Sequence, residues 1–290
     1  MVQVLLSFII TAVLALLMSV SLIVQDSFLK STKPSTIRRK LLNSYSDQQI
    51  LTGIGIQAVG LAQLDTLVPY HFFIIWMLSL LSMAVHNATL LALVGDFRRD
   101  WVLRWLRQFL MFVNLILSAV YGIFMLQVVQ KDIENSTLPV SCVWSIDGSK
   151  TGTASNAGLS YVGTIAVIAG NCIVFAASTW YLHSRKQRFF KIAQLVGWVL
   201  MTAIAVGAAV RVILLSQAFG KPKTPLSDNG ETVWTFGSLV SLLMLLLPLI
   251  SLLEIARGEM QLAPPVADDK EPLMDTEMGS YQPNPFFGKK

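Results

Sequence analysis

Long apolar runs alternate with short polar segments along most of the chain. A helix needs about 20 residues to cross the hydrocarbon layer of a membrane, and seven of these runs reach or approach that length. They extend over residues 3–24, 50–67, 72–94, 109–129, 161–182, 192–216 and 234–253. The pattern therefore predicts an all-α fold, a polytopic membrane bundle of seven transmembrane helices.

The composition supports a membrane protein and divides the chain into two parts. A hydrophobic share of 54% with only 13% charged residues excludes an ordinary soluble globular domain. Residues 1–257 contain all of the apolar runs and are predicted to form one transmembrane domain. Residues 258–290 are polar and rich in proline, which is typical of disorder, so we expect a disordered cytosolic tail.

The basic residues cluster in the loops after the first, third and fifth apolar runs. Loops that stay in the cytosol carry an excess of Lys and Arg. The pattern thus predicts a non-cytosolic N-terminus and a cytosolic C-terminus. This placement accounts for the net charge of +5, so we expect the lipid bilayer as a partner and no nucleic acid.

The loop between the fourth and fifth runs contains the sequon Asn135-Ser136-Thr137 on the predicted non-cytosolic side. A glycan at Asn135 would place the protein in the endoplasmic reticulum or another secretory-pathway membrane. Cys142 lies in the same loop and Cys172 lies inside a predicted span, so we expect two free thiols. The spacing of His and Cys residues predicts no metal site.

One set of ionisable residues lies at the non-cytosolic ends of the runs. It comprises Asp65, His71, Arg211 and Glu231. Together they would provide an acid, an imidazole and a fixed cation beside an apolar cavity, and charged groups at such depths are candidates for function. The alternative is that they reach the membrane interface and form a structural Asp–Arg ion pair.

A second polar set lies deeper, at a similar level on four of the predicted helices. It comprises Gln57, His86, Asn87, Asn114 and Asn171. We expect these side chains to face one interior region. For the amides we favour hydrogen bonds between helices, each worth about 0.6 kcal/mol. For His86, a structural role and a functional role remain equally open, because a buried imidazole can donate, accept or titrate.

Two local patterns concern helix ends next to the basic loops. Ser46 or Asp47 is predicted to cap the start of the second helix. Asp96-Phe97-Arg98 superficially resembles the acidic–arginine switch of seven-helix receptors. The rest of the chain does not fit such receptors, since the seventh run carries L-P-L-I, so we interpret Asp96 as part of a solvated helix end.

Several segments resemble a fungal family of seven-helix integral membrane proteins, over the second to fourth runs. The matching segments are S-D-Q-Q-I-L-T-G at 46–53, Y-H at 70–71, H-N-A-T-L at 86–90, D-F-R-R-D at 96–100 and L-R-x-x-R at 103–107. The resemblance implies a link to natural-product pathways in which membrane-bound cyclases act on prenylated polyketides to make meroterpenoids.

The leading functional hypothesis is therefore a membrane-embedded terpene cyclase of fungal secondary metabolism. Such a lyase- or isomerase-type enzyme needs no cofactor and starts by protonating an epoxidised prenyl chain of a lipophilic substrate. Asp65 and Glu231 are the candidate acids, tuned by His71 and Arg211. The candidate substrate-binding residues are Trp76, His86, Tyr121, Tyr161 and Trp234. The alternative is a non-catalytic receptor-like or scaffold membrane protein with a lipophilic ligand; a transporter ranks third.

Overall fold

The computed structural model describes residues 2–25, 36–97, 101–131, 137–145, 157–183, 189–217, 219–220 and 248. Within these ranges the chain is helical and contains no strand. The predicted seventh run lies outside the described residues except for Pro248, and the predicted tail lies wholly outside them.

The described helices follow the predicted order. They are α1 (Val2–Val24), α2 (Thr36–Ala62), α3 (Pro69–Ala92), α4 (Val94–Phe97), α5 (Trp101–Gln130), α6 (Ala157–His183) and α7 (Phe190–Leu215), with a 3-10 helix at Val140–Trp144. Five of them, α1, α3, α5, α6 and α7, are long and apolar enough to cross a membrane. These five correspond to the first, third, fourth, fifth and sixth predicted runs, so those predictions are confirmed as helices of spanning length.

Helix α2 differs from its prediction at both ends. It begins at Thr36 and ends at Ala62, whereas the predicted apolar run covered residues 50–67. The predicted cap at Ser46 or Asp47 is wrong, because Ser46 is buried inside a continuous helix. The polar first half of α2 contacts its neighbours through ion pairs of Arg39 with Asp96 on α4 and of Asp47 with Arg107 on α5.

Helix α3 forms the centre of the bundle and packs against α1, α2, α5, α6 and α7. Within the apolar window of α3, 94% of the residues are buried, compared with 22% for α6. A helix that is apolar on all sides is typical of such a central position. The few polar side chains of α3 therefore lie at the middle of the bundle.

Long helices that follow one another along the chain run in opposite directions, which gives the bundle two distinct ends. The N-terminal part of α7 bonds to the C-terminal part of α3, where Gln194 Nε2 donates to the Leu91 carbonyl at 2.7 Å. At the other end of α7, the Gln217 N–H donates to the Tyr70 hydroxyl at 2.8 Å. We call the end that carries Arg39 and Arg107 the basic end, and the end at the α2–α3 turn the turn end.

Helix α5 buries one face with a seven-residue repeat. In the 3-4 arrangement of a coiled coil, such a repeat keeps one side of a helix against its neighbours. The buried positions on this face are Arg107, Met111, Asn114, Ser118, Tyr121, Met125 and Val128. Four of these residues carry hydrogen-bonding side chains, namely Arg107, Asn114, Ser118 and Tyr121. Helix α5 therefore brings polar groups against α2 and α3.

Candidate functional site

A hydrogen-bonded polar layer joins α2, α3 and α5 inside the bundle. We define the polar layer as Gln57, Ser82, His86 and Asn114, all of which are fully buried. Gln57 Nε2 donates to the Asn114 Oδ1 at 2.5 Å, and Asn114 Nδ2 lies 2.6 Å from His86 Nε2. Each helix thus contributes a side chain that bonds to a side chain of another helix.

The polar layer extends to α1 through Gln49 on α2. The Ser82 hydroxyl donates to the Gln49 carbonyl at 2.7 Å. The Gln49 side-chain amide donates to the Thr11 hydroxyl, and that hydroxyl lies 2.7 Å from the Ser7 carbonyl of its own helix. Four helices are therefore connected by buried polar contacts, as expected when helices associate in lipid.

Tyr121 closes the polar layer on the side of the turn end. Its hydroxyl donates to the Gln57 carbonyl at 2.9 Å, and its ring stacks on Phe72 with centroids 4.1 Å apart. Gly60 faces the Tyr121 hydroxyl so closely that a Cβ atom there would overlap it. The close approach of α2 and α5 therefore depends on glycine at this position.

The deeper polar set predicted from the sequence divides into two parts. Gln57, His86 and Asn114 meet in the polar layer, as expected. Asn87 instead faces α7, where its Nδ2 lies 3.4 Å from Met201 Sδ. Asn171 Nδ2 donates to the Val167 carbonyl of its own helix at 3.2 Å. Similar depth along a helix was therefore not sufficient to bring all five side chains together.

The turn end carries Asp65, in a turn that a neighbouring segment holds in place. The Val140 N–H donates to the Leu67 carbonyl at 2.9 Å, and the Ser141 N–H donates to the Leu64 carbonyl at 3.3 Å. Asp65 itself is exposed in this turn. The 3-10 helix therefore fixes the backbone around this carboxylate without contacting it through a hydrogen bond.

Asp65 forms no hydrogen bond or ion pair with the other acid–base candidates within the described residues. His71 is half-buried in the first turn of α3, with its ring centroid 4.9 Å from that of Tyr70. Arg211 is exposed on α7. Within the described ranges neither Asp65 nor Arg211 takes part in a hydrogen bond or ion pair, so no Asp65–Arg211 pair is formed there. Glu231 lies outside the described residues.

The predicted substrate-binding residues occupy different environments. Trp76 and Tyr121 belong to the apolar core, His86 belongs to the polar layer, and all three are buried. Tyr161, near the start of α6, is 38% exposed. Trp234 and the sequon residue Asn135 lie outside the described residues. The two cysteines are free, as predicted, with Cys142 half-buried and Cys172 exposed.

An arginine cluster at the basic end ties α2 to α4 and α5. Arg39 Nη1 pairs with Asp96 Oδ2 at 2.8 Å. Arg107 donates to Asn43 and Asp47, and the cluster is defined by these five residues. The interpretation of Asp96 as a solvated helix end is therefore corrected, because its carboxylate is half-buried and ion-paired across helices.

Arg107 and Tyr45 at the basic end both pack against other side chains and are buried. The Arg107 guanidinium lies 4.8 Å from the centroid of the Phe97 ring, a distance that allows a cation–π interaction. Tyr45 is buried in the same part of α2, and burial raises the pKa of its hydroxyl above the ordinary value. The region is thus a packed contact between helices in addition to a basic surface.

The chemistry of the polar layer is that of neutral hydrogen bonding. Amides, a hydroxyl and an imidazole provide its donors and acceptors. In the part of the chain that the structure describes, no three His, Cys, Asp or Glu side chains are arranged to hold a metal ion. The polar layer can therefore orient a neutral polar group. The charged side chains described above lie outside the layer, toward the ends of the bundle.

Ser82 and Gln49 were not predicted as members of the site, although the spacing of polar residues in the sequence indicates both. Ser82 precedes His86 by one helical turn, and Gln49, Gly53 and Gln57 recur at the same interval on α2. Residues four apart lie on one helix face. Likewise, the heptad spacing of Arg107, Asn114 and Tyr121 indicates one polar face on α5.

In comparisons with family models, with curated proteins and with solved structures, nothing matches the chain.

Proposed function

We propose that the protein is a non-catalytic, receptor-like membrane protein that binds a lipophilic ligand at the polar layer and responds at the arginine cluster. The observation that carries this proposal is the shared face of α5. Asn114 of the polar layer and Arg107 of the arginine cluster lie on that face, about 10 Å apart at 1.5 Å per residue. A ligand that shifts Asn114 therefore shifts Arg107 as well, because a helix moves as a rigid element.

The arginine cluster has the physical character of a two-state contact. Arg107 is only 9% exposed, so a movement that separates it from Asp47 leaves a charge without its partner. Asp47 is 51% exposed, so the cost of this separation falls on the buried guanidinium, which then keeps Asn43 as an acceptor. The cluster thus favours either the present contacts or a distinct set of new ones, and discrete alternatives are what a signalling protein requires.

The orientation of the bundle determines which side receives the response. The distribution of Lys and Arg favours seven spans with a non-cytosolic N-terminus and a cytosolic C-terminus. In this orientation the arginine cluster faces the cytosol, where partners would bind. The sequon at Asn135 then faces the lumen of the endoplasmic reticulum or another secretory compartment.

The proposal is tested by coupling between the two sites. The protein is purified in detergent, its co-purifying lipophiles are identified by mass spectrometry, and hydrogen exchange is measured before and after they are removed and added back. We expect ligand to change exchange in peptides that contain Asp47, Asp96 and Arg107. Asn114→Leu should abolish the change, whereas Asn171→Leu should retain it because Asn171 bonds only within α6.

The receptor-like function would be contradicted if hydrogen exchange at the arginine cluster stayed the same when each co-purifying lipophile was removed and added back. Equal responses in the Asn114→Leu and Asn171→Leu variants would contradict the route through α5.

A second candidate, the terpene cyclase implied by the resemblance to the fungal natural-product family, is favoured by the state of Asp65. The carboxylates of the described residues are Asp47, Asp65 and Asp96, and Asp65 alone among them has no hydrogen bond or ion pair. Its carboxyl group is therefore not engaged by the described residues, and it lies on a turn that is held next to the start of α3.

In this reaction the carboxylic acid donates a proton to the epoxide oxygen, the carbon–oxygen bond breaks, and an alkene of the same chain attacks the cation. A final proton loss gives the cyclic product. Aromatic faces stabilise such a cation by about 2 kcal/mol when water is excluded. The test is conversion of epoxidised prenyl substrates by cells that express wild type, Asp65→Asn or Asp96→Asn.

We expect Asp65→Asn to lose the product and Asp96→Asn to keep it. Unchanged product from the Asp65 variant would remove that residue as the acid. Absence of product from every substrate would leave the receptor-like function as the better proposal.

A further inference from the structure

We propose that the Nδ1–H of His86 is the donor that binds a neutral oxygen acceptor, the carbonyl or hydroxyl oxygen of a lipophilic ligand. This inference rests on the proposed ligand-binding function and names the chemical group that the ligand presents. It follows from the direction of each hydrogen bond in the polar layer, starting from a backbone carbonyl.

The backbone of α2 fixes the orientation of the Gln57 side chain. The Gly53 carbonyl oxygen lies 2.9 Å from the terminal atom assigned as Gln57 Nε2. A carbonyl oxygen only accepts hydrogen bonds, so the Gln57 atom in this position is the nitrogen. The same nitrogen donates to Asn114, so the atom that Asn114 presents to Gln57 is its oxygen, Oδ1, at 2.5 Å.

The orientation of Asn114 then fixes the tautomer of His86. Because Oδ1 faces Gln57, the amide nitrogen of Asn114 faces His86 Nε2 at 2.6 Å. An amide nitrogen only donates, so Nε2 accepts and carries no proton. A neutral imidazole with an unprotonated Nε2 carries its proton on Nδ1.

The hydroxyl of Ser82 does not change this assignment. Its single proton is directed to the Gln49 carbonyl at 2.7 Å. The Ser82 oxygen lies 3.2 Å from His86 Nε2 and 3.4 Å from Asn114 Nδ2, so it is left as an acceptor for the Asn114 amide. The proton of His86 therefore remains on Nδ1.

The Nδ1 atom is fully buried, and within the described residues it has no hydrogen-bond partner. A buried donor without an acceptor costs about 1–3 kcal/mol, and lipid offers no substitute. An oxygen acceptor at this atom relieves that cost. The donor therefore selects for a ligand or solvent molecule that brings an oxygen atom.

The surroundings of His86 favour a neutral oxygen over a charged group. At its Nε2 edge the ring contacts the neutral side chains Ser82 and Asn114, and Asn114 bonds in turn to the neutral Gln57. A charge buried there without an ionic partner is strongly unfavourable. A cation is disfavoured further because the free group is a donor. The remaining acceptors are the oxygen of a ketone, an alcohol or an ether, and that of a buried water molecule.

Nitrogen NMR of the histidines tests the inference directly. The chain has 3 histidines, so spectra of protein with ¹⁵N-labelled histidine in nanodiscs are assigned by comparison with His71→Gln and His183→Gln. We expect His86 to show a protonated Nδ1 and an unprotonated Nε2. The probe is 2-undecanone, and undecane is the matched hydrocarbon without an oxygen.

We expect the ketone to shift the Nδ1–H resonance and the hydrocarbon to leave it unchanged. Asn114→Leu should move the His86 proton toward Nε2, since the donor to that atom is lost, whereas Asn171→Leu should not. A general loss of structure would not produce this selective change of tautomer.

Three results would overturn the inference. A proton on Nε2 in the wild type contradicts the assignment itself. Exchange of Nδ1–H with water together with no response to the ketone assigns the site to a buried water molecule. Equal shifts with ketone and hydrocarbon show that no hydrogen bond is involved. By contrast, a response to the ketone with unchanged hydrogen exchange at the arginine cluster contradicts only the receptor-like function.

Discussion

Arg107 and Asn114 lie on the same buried face of α5, and each is hydrogen-bonded to a side chain of α2. Arg107 donates to Asn43 and Asp47, and Asn114 accepts from Gln57. Two polar contacts at separate levels fix the register of α2 against α5, because sliding either helix breaks both. A buried polar contact that specifies register is a well-attested role for such groups.

The ion pair at the basic end predicts an unequal effect of two aspartate substitutions. Among the described residues, Asp47→Ala leaves the buried Arg107 with only Asn43 and Phe97, so we expect a loss of about 1–2 kcal/mol in the free energy of unfolding. Asp65→Ala removes an exposed carboxylate without a partner and should change stability by less than about 0.5 kcal/mol. Unfolding of detergent-solubilised protein measures both, and equal effects would argue against the Arg107–Asp47 contact.

We expect the substitution of glycine by alanine to have opposite effects on stability at two positions of α2, Gly53 and Gly55. A Cβ atom at Gly53 would lie 3.0 Å from Ser82 Cβ and 3.3 Å from Asn114 Oδ1, so Gly53→Ala disturbs the polar layer. We expect a loss of about 1–3 kcal/mol, as for other overpacked interiors. At Gly55 a Cβ atom meets nothing within 4 Å, so Gly55→Ala should be neutral or stabilising by up to about 1 kcal/mol.

Melting temperatures of the two variants in the same detergent distinguish these outcomes. A Gly53→Ala protein that is as stable as Gly55→Ala would show that α2 does not approach Ser82 and Asn114 as closely as described.

We expect the effects on stability of substitutions at Gly60 and Tyr121 to be coupled, because the two residues are in contact. Gly60→Ala overlaps the Tyr121 hydroxyl, and Tyr121→Phe removes that hydroxyl together with its bond to the Gln57 carbonyl. Each single variant should lose about 1 kcal/mol or more. The double variant should be more stable than the sum of the single effects by at least about 0.5 kcal/mol, because the overlap is relieved. Strict additivity in denaturation experiments would indicate that the two residues do not touch.

The orientation predicted from the basic loops can be tested at the sequon. In eukaryotic cells we expect a glycosidase-sensitive shift in the electrophoretic mobility of wild type. Ser136→Ala should keep the shift because Thr137 is retained, and Thr137→Ala should lose it because the sequon is destroyed. A glycan that persists in Thr137→Ala lies elsewhere, and the absence of any glycan leaves the luminal location of this loop without support.

Most of the described helices followed from the sequence, and α2 is the main exception. An apolar run of about 20 residues must be helical in lipid, since its backbone has no other hydrogen-bond partners there. For this reason α1, α3, α5, α6 and α7 agree with the predicted runs. The first half of α2 is polar, and it forms ion pairs with partners on α4 and α5 that no local pattern reveals.

The candidate site was predictable only in part. Depth along the predicted helices correctly grouped Gln57, His86 and Asn114, because helices of similar length that lie side by side align their middles, whether they run parallel or antiparallel. The same reasoning wrongly included Asn87 and Asn171, because depth does not tell which face a residue occupies.

The sequence by itself determined that the described part of the chain is helical, with five helices long and apolar enough to cross a membrane, since apolar length and backbone hydrogen bonding leave few alternatives in lipid. Only the tertiary structure decided which polar groups meet. The contacts of His86 with Asn114, and of Arg107 with Asp47, depend on the rotation of each helix about its axis. That rotation results from packing of all neighbouring helices at once, so it is a property of the bundle that no single segment specifies.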